Sequence, residues 1–325
     1  MSPATFKWFL ALALLGSAGF VSASDTDDPR EMLERMSAAM SQMSYQGTFV
    51  YVQGDNVETM RITHVSDELG VRERLVSVSG TPREILRDSS GVRWVLADDH
   101  SVFEDPGFNR SFFPELPAEQ HEQTEVSYSM KLGSYGRIAG HRARNLQVLA
   151  RDQYRYGYSL WLEEHSGLLL KWALIDKDRK PLAKMMFTDV RLGSEVDRNE
   201  LKSTSQLKKF KKTASKLPAG RGQTKAKAKW KPGKLPPGFK MTAHRYFGQE
   251  GEGIYEHLVY SDGLAAVSVY VESMDKDSDV QTGISKLGTT HAFARVSEEM
   301  LITVVGDVPA ITVQVIAESV AANTP

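Results

Sequence analysis

Between Leu201 and Lys234 the chain carries twelve Lys and Arg side chains and not one Asp or Glu. The rest of that run is mostly small and polar, with few large apolar residues. It cannot bury enough surface to offset the entropy of ordering it, so no domain can be centred there. Whatever folds must fold on either side, and the chain reads as two units joined by a cationic linker. The segregation is sharp. Of 40 basic side chains, 12 lie in this stretch, which leaves 28 against all 41 acidic ones. A length of 325 residues suits two domains. The expected organisation is a leader at 1–23, a large domain at 24–200, a Lys-rich linker at 201–231 and a small domain at 232–325.

Residues 1–23 have the form of a signal peptide. Lys7 supplies the positive end, Trp8 to Phe20 an apolar core, and Val21-Ser22-Ala23 a small-residue cleavage site before Ser24. The chain therefore reads as exported, most simply to the periplasm. Leu168-Leu169-Leu170 ends at Lys171, and no later apolar run approaches a membrane-spanning length. Cysteine is absent, which excludes disulfides, zinc–thiolate sites, iron–sulfur clusters and a cysteine nucleophile.

The large domain opens with one helix. Asp28 can cap it, Pro29 suits its first position, and Met32, Leu33, Met36, Met40 and Met43 recur on one face. A methionine-rich surface can adapt to varied ligands, but a periodic apolar stripe is first of all a core face. Period-two patterning follows, with strands expected at 47–53, 57–65, 71–79, 83–87, 91–97, 101–104, 142–149, 156–163, 168–176 and 182–192. Many antiparallel strands with one or two helices imply a curved sheet or open barrel, and such a sheet can enclose a cavity. Phe49, Tyr51, Trp94, Tyr156, Tyr158 and Trp161 are the aromatic candidates for an apolar ligand, or else they fill a core. Beyond the linker, strands are expected at 255–260, 265–272, 291–296 and 300–305, with a helix from Pro309 to about Val320. That is a small α+β domain.

Residues arranged for catalysis are hard to find. The eight histidines match no metal-ligand spacing, and His64, His141, His257 and His291 fall on or beside strands, where a hydrogen-bonded structural role is usual. No nucleophile elbow, phosphate-binding loop or dinucleotide fingerprint is present. Asp98-Asp99-His100 is a dense ionisable group, but neighbouring strand residues face opposite ways and a solvated turn explains it better. No enzyme, cofactor or metal is expected. The linker lysines, Lys225, Lys227, Lys229 and Lys231 above all, could meet an anion or could simply form a solvated spacer. Phe210 and Trp230 are too few aromatics for nucleic acid; phospholipid headgroups, lipopolysaccharide or an acidic protein segment fit an exported protein better.

Several stretches go beyond class-level reading. Asp152 to Leu162 with Ser166 to Lys171, Arg72 to Leu75 with Gly80 to Glu84, and Gly136 to His141 resemble the large domain of the RseB/MucB family. Leu235 to Phe239, Tyr260 to Tyr270 and Val304 to Pro309 resemble its small domain. The resemblance implies a periplasmic regulator of the sigma-E (AlgU) envelope-stress factor. Such a protein would bind the periplasmic segment of a membrane anti-sigma factor of RseA or MucA type and shield it from site-1 proteolysis. It also implies a LolA/LolB-like large domain that accepts acyl chains, and release by lipopolysaccharide; whether the chain forms homo-oligomers the sequence leaves open. A lipid or lipoprotein carrier without regulatory function is the alternative.

Overall fold

The computed structural model describes residues 28–96, 101–105, 121–203, 211–212, 227–248, 254–274 and 280–323. The expected leader, Asp98-Asp99-His100, the stretch 106–120 and most of the linker, Lys225 included, lie outside these residues. Among the described residues no helix is long and apolar enough to cross a membrane.

Helix α1 spans Pro29–Gln42. Asp28 accepts the Arg30 amide at 2.9 Å, and Pro29 gives up no hydrogen bond at that position. Met32, Leu33, Met36 and Met40 are buried as expected, joined by Ala39, whereas Met43, expected on the same stripe, is the extended C-cap residue and only partly buried. Strands β1 (Tyr45–Gln53), β2 (Asn56–Asp67), β3 (Gly70–Ser77), β4 (Arg83–Asp88), β5 (Gly91–Leu96) and β6 (Ser101–Asp105) form one antiparallel meander. A short helix α2 (His121–Ser127) leads to a second meander. This is β7 (Tyr128–Ile138), β8 (His141–Ala150), β9 (Gly157–Glu163), β10 (Leu169–Ile175) and β11 (Pro181–Leu192). Pairing of β11 with β1 fuses the two meanders into a single curved sheet, and β12 (Lys211–Lys212), from the linker, lies parallel to β6 at one end. Strand β7 is the opposite end, so the sheet is open and no closed barrel forms. Helix α1 lies across β7, β8 and β10, and its methionines share one core with Phe49, Phe187, Leu160 and Leu162.

The small domain holds β13 (Trp230–Pro232), β14 (Lys240–Gly248), β15 (Ile254–Ser261), β16 (Ala266–Ser273), β17 (Gly283–Leu287), β18 (Thr290–Ser297), β19 (Met300–Gly306), α3 (Ala310–Ser319) and β20 (Val320–Ala322). Six strands form its main antiparallel sheet, ordered β14-β15-β16-β19-β18-β17, where four were expected; β13 pairs with β20. The two added strands escape the pattern for physical reasons. Strand β17 is short and almost wholly exposed, and β14 reads as mixed polar and aromatic. Trp230 is buried, and the amides of Lys229 and Trp230 donate to Glu256 Oε1 and Oε2 at 2.9 and 3.0 Å. Lys229 and Lys231 thus stand at the first pairing of the small domain. At the other end of the linker, Arg74 donates to the Glu200 carbonyl at 2.8 Å, which ties the exit from β11 across the large sheet.

Candidate functional site

Two turns meet where the domains touch. The β8–β9 connection carries Arg155, and the β15–β16 turn, Ser261-Asp262-Gly263-Leu264, carries Asp262. Asp262 Oδ1 accepts the amides of Leu264 and Ala265 at 2.9 and 2.7 Å, the usual way a turn Asp satisfies its own backbone. That leaves Oδ2 facing the large domain. It accepts the Tyr128 hydroxyl at 3.0 Å and pairs with Arg155 Nη1. The other Arg155 donors are also used: Nη2 reaches the Pro237 carbonyl at 2.5 Å and Asp152 at 2.9 Å, and Nε reaches Asp152 at 3.1 Å. Both side chains of the Arg155–Asp262 pair are 0% exposed. Burial pushes the Asp262 carboxyl up from its ordinary value, opposed by Arg155 and the two turn amides. Burial, with Asp262 beside it, also holds the Tyr128 phenol well above its ordinary value, so it stays a donor.

Apolar and backbone contacts flank this pair. Leu264 leaves its own domain and joins the core of the large one, and the Tyr158 hydroxyl donates to its carbonyl at 3.2 Å. Thr312, on α3, donates to the Tyr154 carbonyl at 2.7 Å. Gly238 sits at φ +83°, and a Cβ there would lie 2.6 Å from Ser127 Oγ, so only glycine allows this approach. A buried ion pair of this kind costs much to desolvate, and removing one partner is strongly destabilising because the other charge is left buried and uncompensated.

Beside the seam lies a cleft of about 390 Å³. Val52, Tyr156 and Leu182 from the large domain meet Gly288 and Thr289 from the small one, with Lys184 and Lys286 on its walls. Gln53 donates to Thr289 Oγ1 at 2.9 Å across it, and Thr289 in turn donates to Asp307 at 2.9 Å. Burial raises the Tyr156 phenol, and Asp307 and Asp176 add to the effect. Tyr51, pushed up to about 12 by burial with Asp307 and Glu58 nearby, stands one residue before Val52 and tilts on Trp172 at 6.1 Å. The groove is partly apolar and carries two lysines.

The six aromatic candidates do not converge. Phe49 is fully buried edge-on to Phe187 at 5.6 Å, and Tyr158 is committed to the seam. Trp161 stands under Lys171 at 5.6 Å with Gly136 against its ring. Trp94 pairs with Ile85 and Phe103 in the other meander. Only Tyr156 lines the cleft, with Tyr51 close by. Of the lysines, Lys227, Lys229 and Lys231 are exposed, and Lys229 donates to the Tyr246 hydroxyl at 2.7 Å. Tyr158 apart, the seam residues carry no site signal in the sequence. Arg155 and Asp262 stand 107 positions apart, so nothing local marks them as a pair.

A large open curved sheet and a small sheet-and-helix domain, locked by a buried ion pair around a partly apolar cleft, define a two-domain binding protein. Comparison with known proteins makes this particular. Residues 28–205 match the MucB/RseB N-terminal domain and residues 224–321 the MucB/RseB C-terminal domain. The chain belongs to the MucB/RseB family. It is 30% identical to the sigma factor AlgU regulatory protein MucB of Pseudomonas aeruginosa, over 95% of this chain and 96% of that protein. It is 24% identical to the sigma-E factor regulatory protein RseB of Escherichia coli, over 96% and 97%. The solved complex of Pseudomonas aeruginosa MucA and MucB matches with a TM-score of 0.70 at 28% identity, over 92% of this chain and 100% of that one. A crystal structure of MucB with MucA(peri) matches with a TM-score of 0.68 at 28% identity, over the same shares.

Proposed function

We propose that this chain is a periplasmic regulator that binds the periplasmic segment of a membrane anti-sigma factor, protects it from site-1 proteolysis and so restrains a factor of sigma-E class. The observation that carries this reading is the match of both domains, over 92% of the chain, to MucB solved together with MucA. The chemistry of the cleft agrees. An extended peptide can lay apolar side chains on Val52, Tyr156 and Leu182 while its acidic groups meet Lys184 and Lys286. Because the walls come from both domains, binding there would depend on the seam that sets their spacing.

Release by an acylated ligand such as lipopolysaccharide is part of the proposal. Lipid and peptide must then prefer different conformations or compete for one surface. Tyr51 and Tyr156, next to the cleft, are the aromatics best placed for acyl chains; Phe49 and Tyr158 would first have to be uncovered. The direct test follows site-1 protease cleavage of the cognate anti-sigma segment with and without the purified protein. Slower cleavage is expected, restored by lipopolysaccharide. Unaltered cleavage with stoichiometric uptake of acylated cargo would favour the carrier reading instead.

A further inference from the structure

The β7–β8 hairpin carries an unusual register. Arg137 stands directly opposite Arg142, and Tyr135 opposite Arg144. Directly paired residues of an antiparallel ladder share a face, so three guanidinium groups and one phenol lie on one side of the hairpin. The guanidinium carbons of Arg142 and Arg144 sit 4.4 and 4.2 Å from the centre of the Tyr135 ring, which is 41% exposed. Stacking on one ring holds both planar forks in place before any ligand arrives.

Charge compensation is incomplete. Among the described residues the one carboxylate in ion-pair contact is Glu164, 3.2 Å from an Arg142 side chain that is 62% exposed. Arg144 Nε is shielded from solvent and has no hydrogen-bond partner. Like charges facing each other across a ladder are destabilising, so the arrangement costs stability until an anion is shared among them. The back of the hairpin is fixed: Gly136 lies so close to the Trp161 ring that a Cβ there would be 2.5 Å from it. The donors are therefore presented on a firm surface.

We propose that this face of the β7–β8 hairpin is a binding site for a phosphate oxyanion, held by Arg137, Arg142 and Arg144 with Tyr135 as their platform. Three guanidiniums less one carboxylate leave two positive charges, the complement of a phosphate monoester dianion. Three guanidinium forks on one face suit a tetrahedral group with three accepting oxygens better than a carboxylate with two. The site does not rest on the anti-sigma reading: it lies on the edge of the large sheet, away from the cleft residues.

Two sources share this chemistry, a soluble phosphorylated compound and a phospholipid headgroup, and two arms separate them. The purified protein is titrated calorimetrically with inorganic phosphate, and it is sedimented with phosphatidylcholine vesicles with or without phosphatidic acid. Binding in either arm that Arg142→Gln/Arg144→Gln weakens by about tenfold or more supports the site. Phosphate binding alone assigns it to soluble ligands, and binding only to phosphatidic acid vesicles assigns it to headgroups. Arg144→Lys, which keeps the charge but not the fork, should also lose several-fold. Absence of binding in both arms would overturn the proposal. So would an equal loss in Lys177→Gln/Lys180→Gln, which removes the same charge from an exposed turn elsewhere.

Discussion

Arg155 and Arg144 carry the same side chain under opposite terms. At the seam, the Arg155 side chain is fully buried, and Asp262, Asp152 and the Pro237 carbonyl receive its donors. On the hairpin, Arg144 stacks on an exposed ring beside other arginines, and its Nε has no partner. A guanidinium whose neighbours satisfy it holds structure together; one left uncompensated at a surface is available to something outside. The difference shows which charged clusters in this molecule serve the fold and which can serve a ligand.

Breaking the seam should cost most. Asp262→Ala leaves Arg155 buried without its main counter-charge, and unfolding experiments should show a loss of about 3–5 kcal/mol. Calorimetry should also resolve the small domain melting ahead of the large one, because the contact that couples them is gone. A single unshifted transition would remove the seam's claimed importance.

His64 gives the next largest effect. It is buried against Tyr45, with ring centres 4.6 Å apart, and Nδ1 lies 2.9 Å from the Met43 carbonyl. Burial lowers its pKa from 6.5 to about 4. The folded state therefore resists protonation that the unfolded state accepts. This contribution is complete above pH 6.5 and is lost as pH falls from 6.5 towards 4, by about 3 kcal/mol in all. His64→Phe keeps the ring packing, and its stability should vary less with pH across that window. An unchanged pH dependence would show that His64 titrates normally.

The hairpin supplies smaller effects that sharpen the contrast with the seam. Gly136→Ala forces a methyl against Trp161 and should cost about 1–3 kcal/mol in a thermal melt, as overpacked sites do. Arg142→Gln removes an exposed ion pair and a contact with the Tyr135 ring while relieving repulsion from Arg137, and should change stability by less than about 1 kcal/mol. An arginine whose loss costs anion affinity but not stability is the opposite of Arg155. Lys229→Gln should be milder still, since its backbone rather than its charge makes the contact with Glu256.

The linker's charge, the capped Met-rich helix and most strands are legible in the chain because each is local. The α1 stripe, the Gly54-Asp55 turn and the alternation along β8 and β9 carry their structure in a few adjacent residues. Strand β7 is not legible. Its Gly133 and Gly136 weaken any strand pattern, and they are there because Asn145 and Trp161 occupy the space a Cβ would take. The seam fails to show for a related reason. Asp262 looks like an ordinary turn residue, and its second oxygen acquires meaning only once Tyr128 and Arg155 arrive from 134 and 107 positions away. Aromatic content likewise points to a pocket, whereas packing sends Phe49 to the core, Trp161 under Lys171 and Tyr158 to the seam.

The central claim is that the locked pair of domains forms the surface for the anti-sigma segment. The most direct measurement is the affinity of that segment for the protein and for its Asp262→Ala variant, by calorimetric titration at a temperature where both are folded. The account predicts binding to the intact protein and a loss of at least about tenfold in the variant, since the cleft walls no longer hold their spacing. Equal affinity for both, or no binding to either, would contradict it.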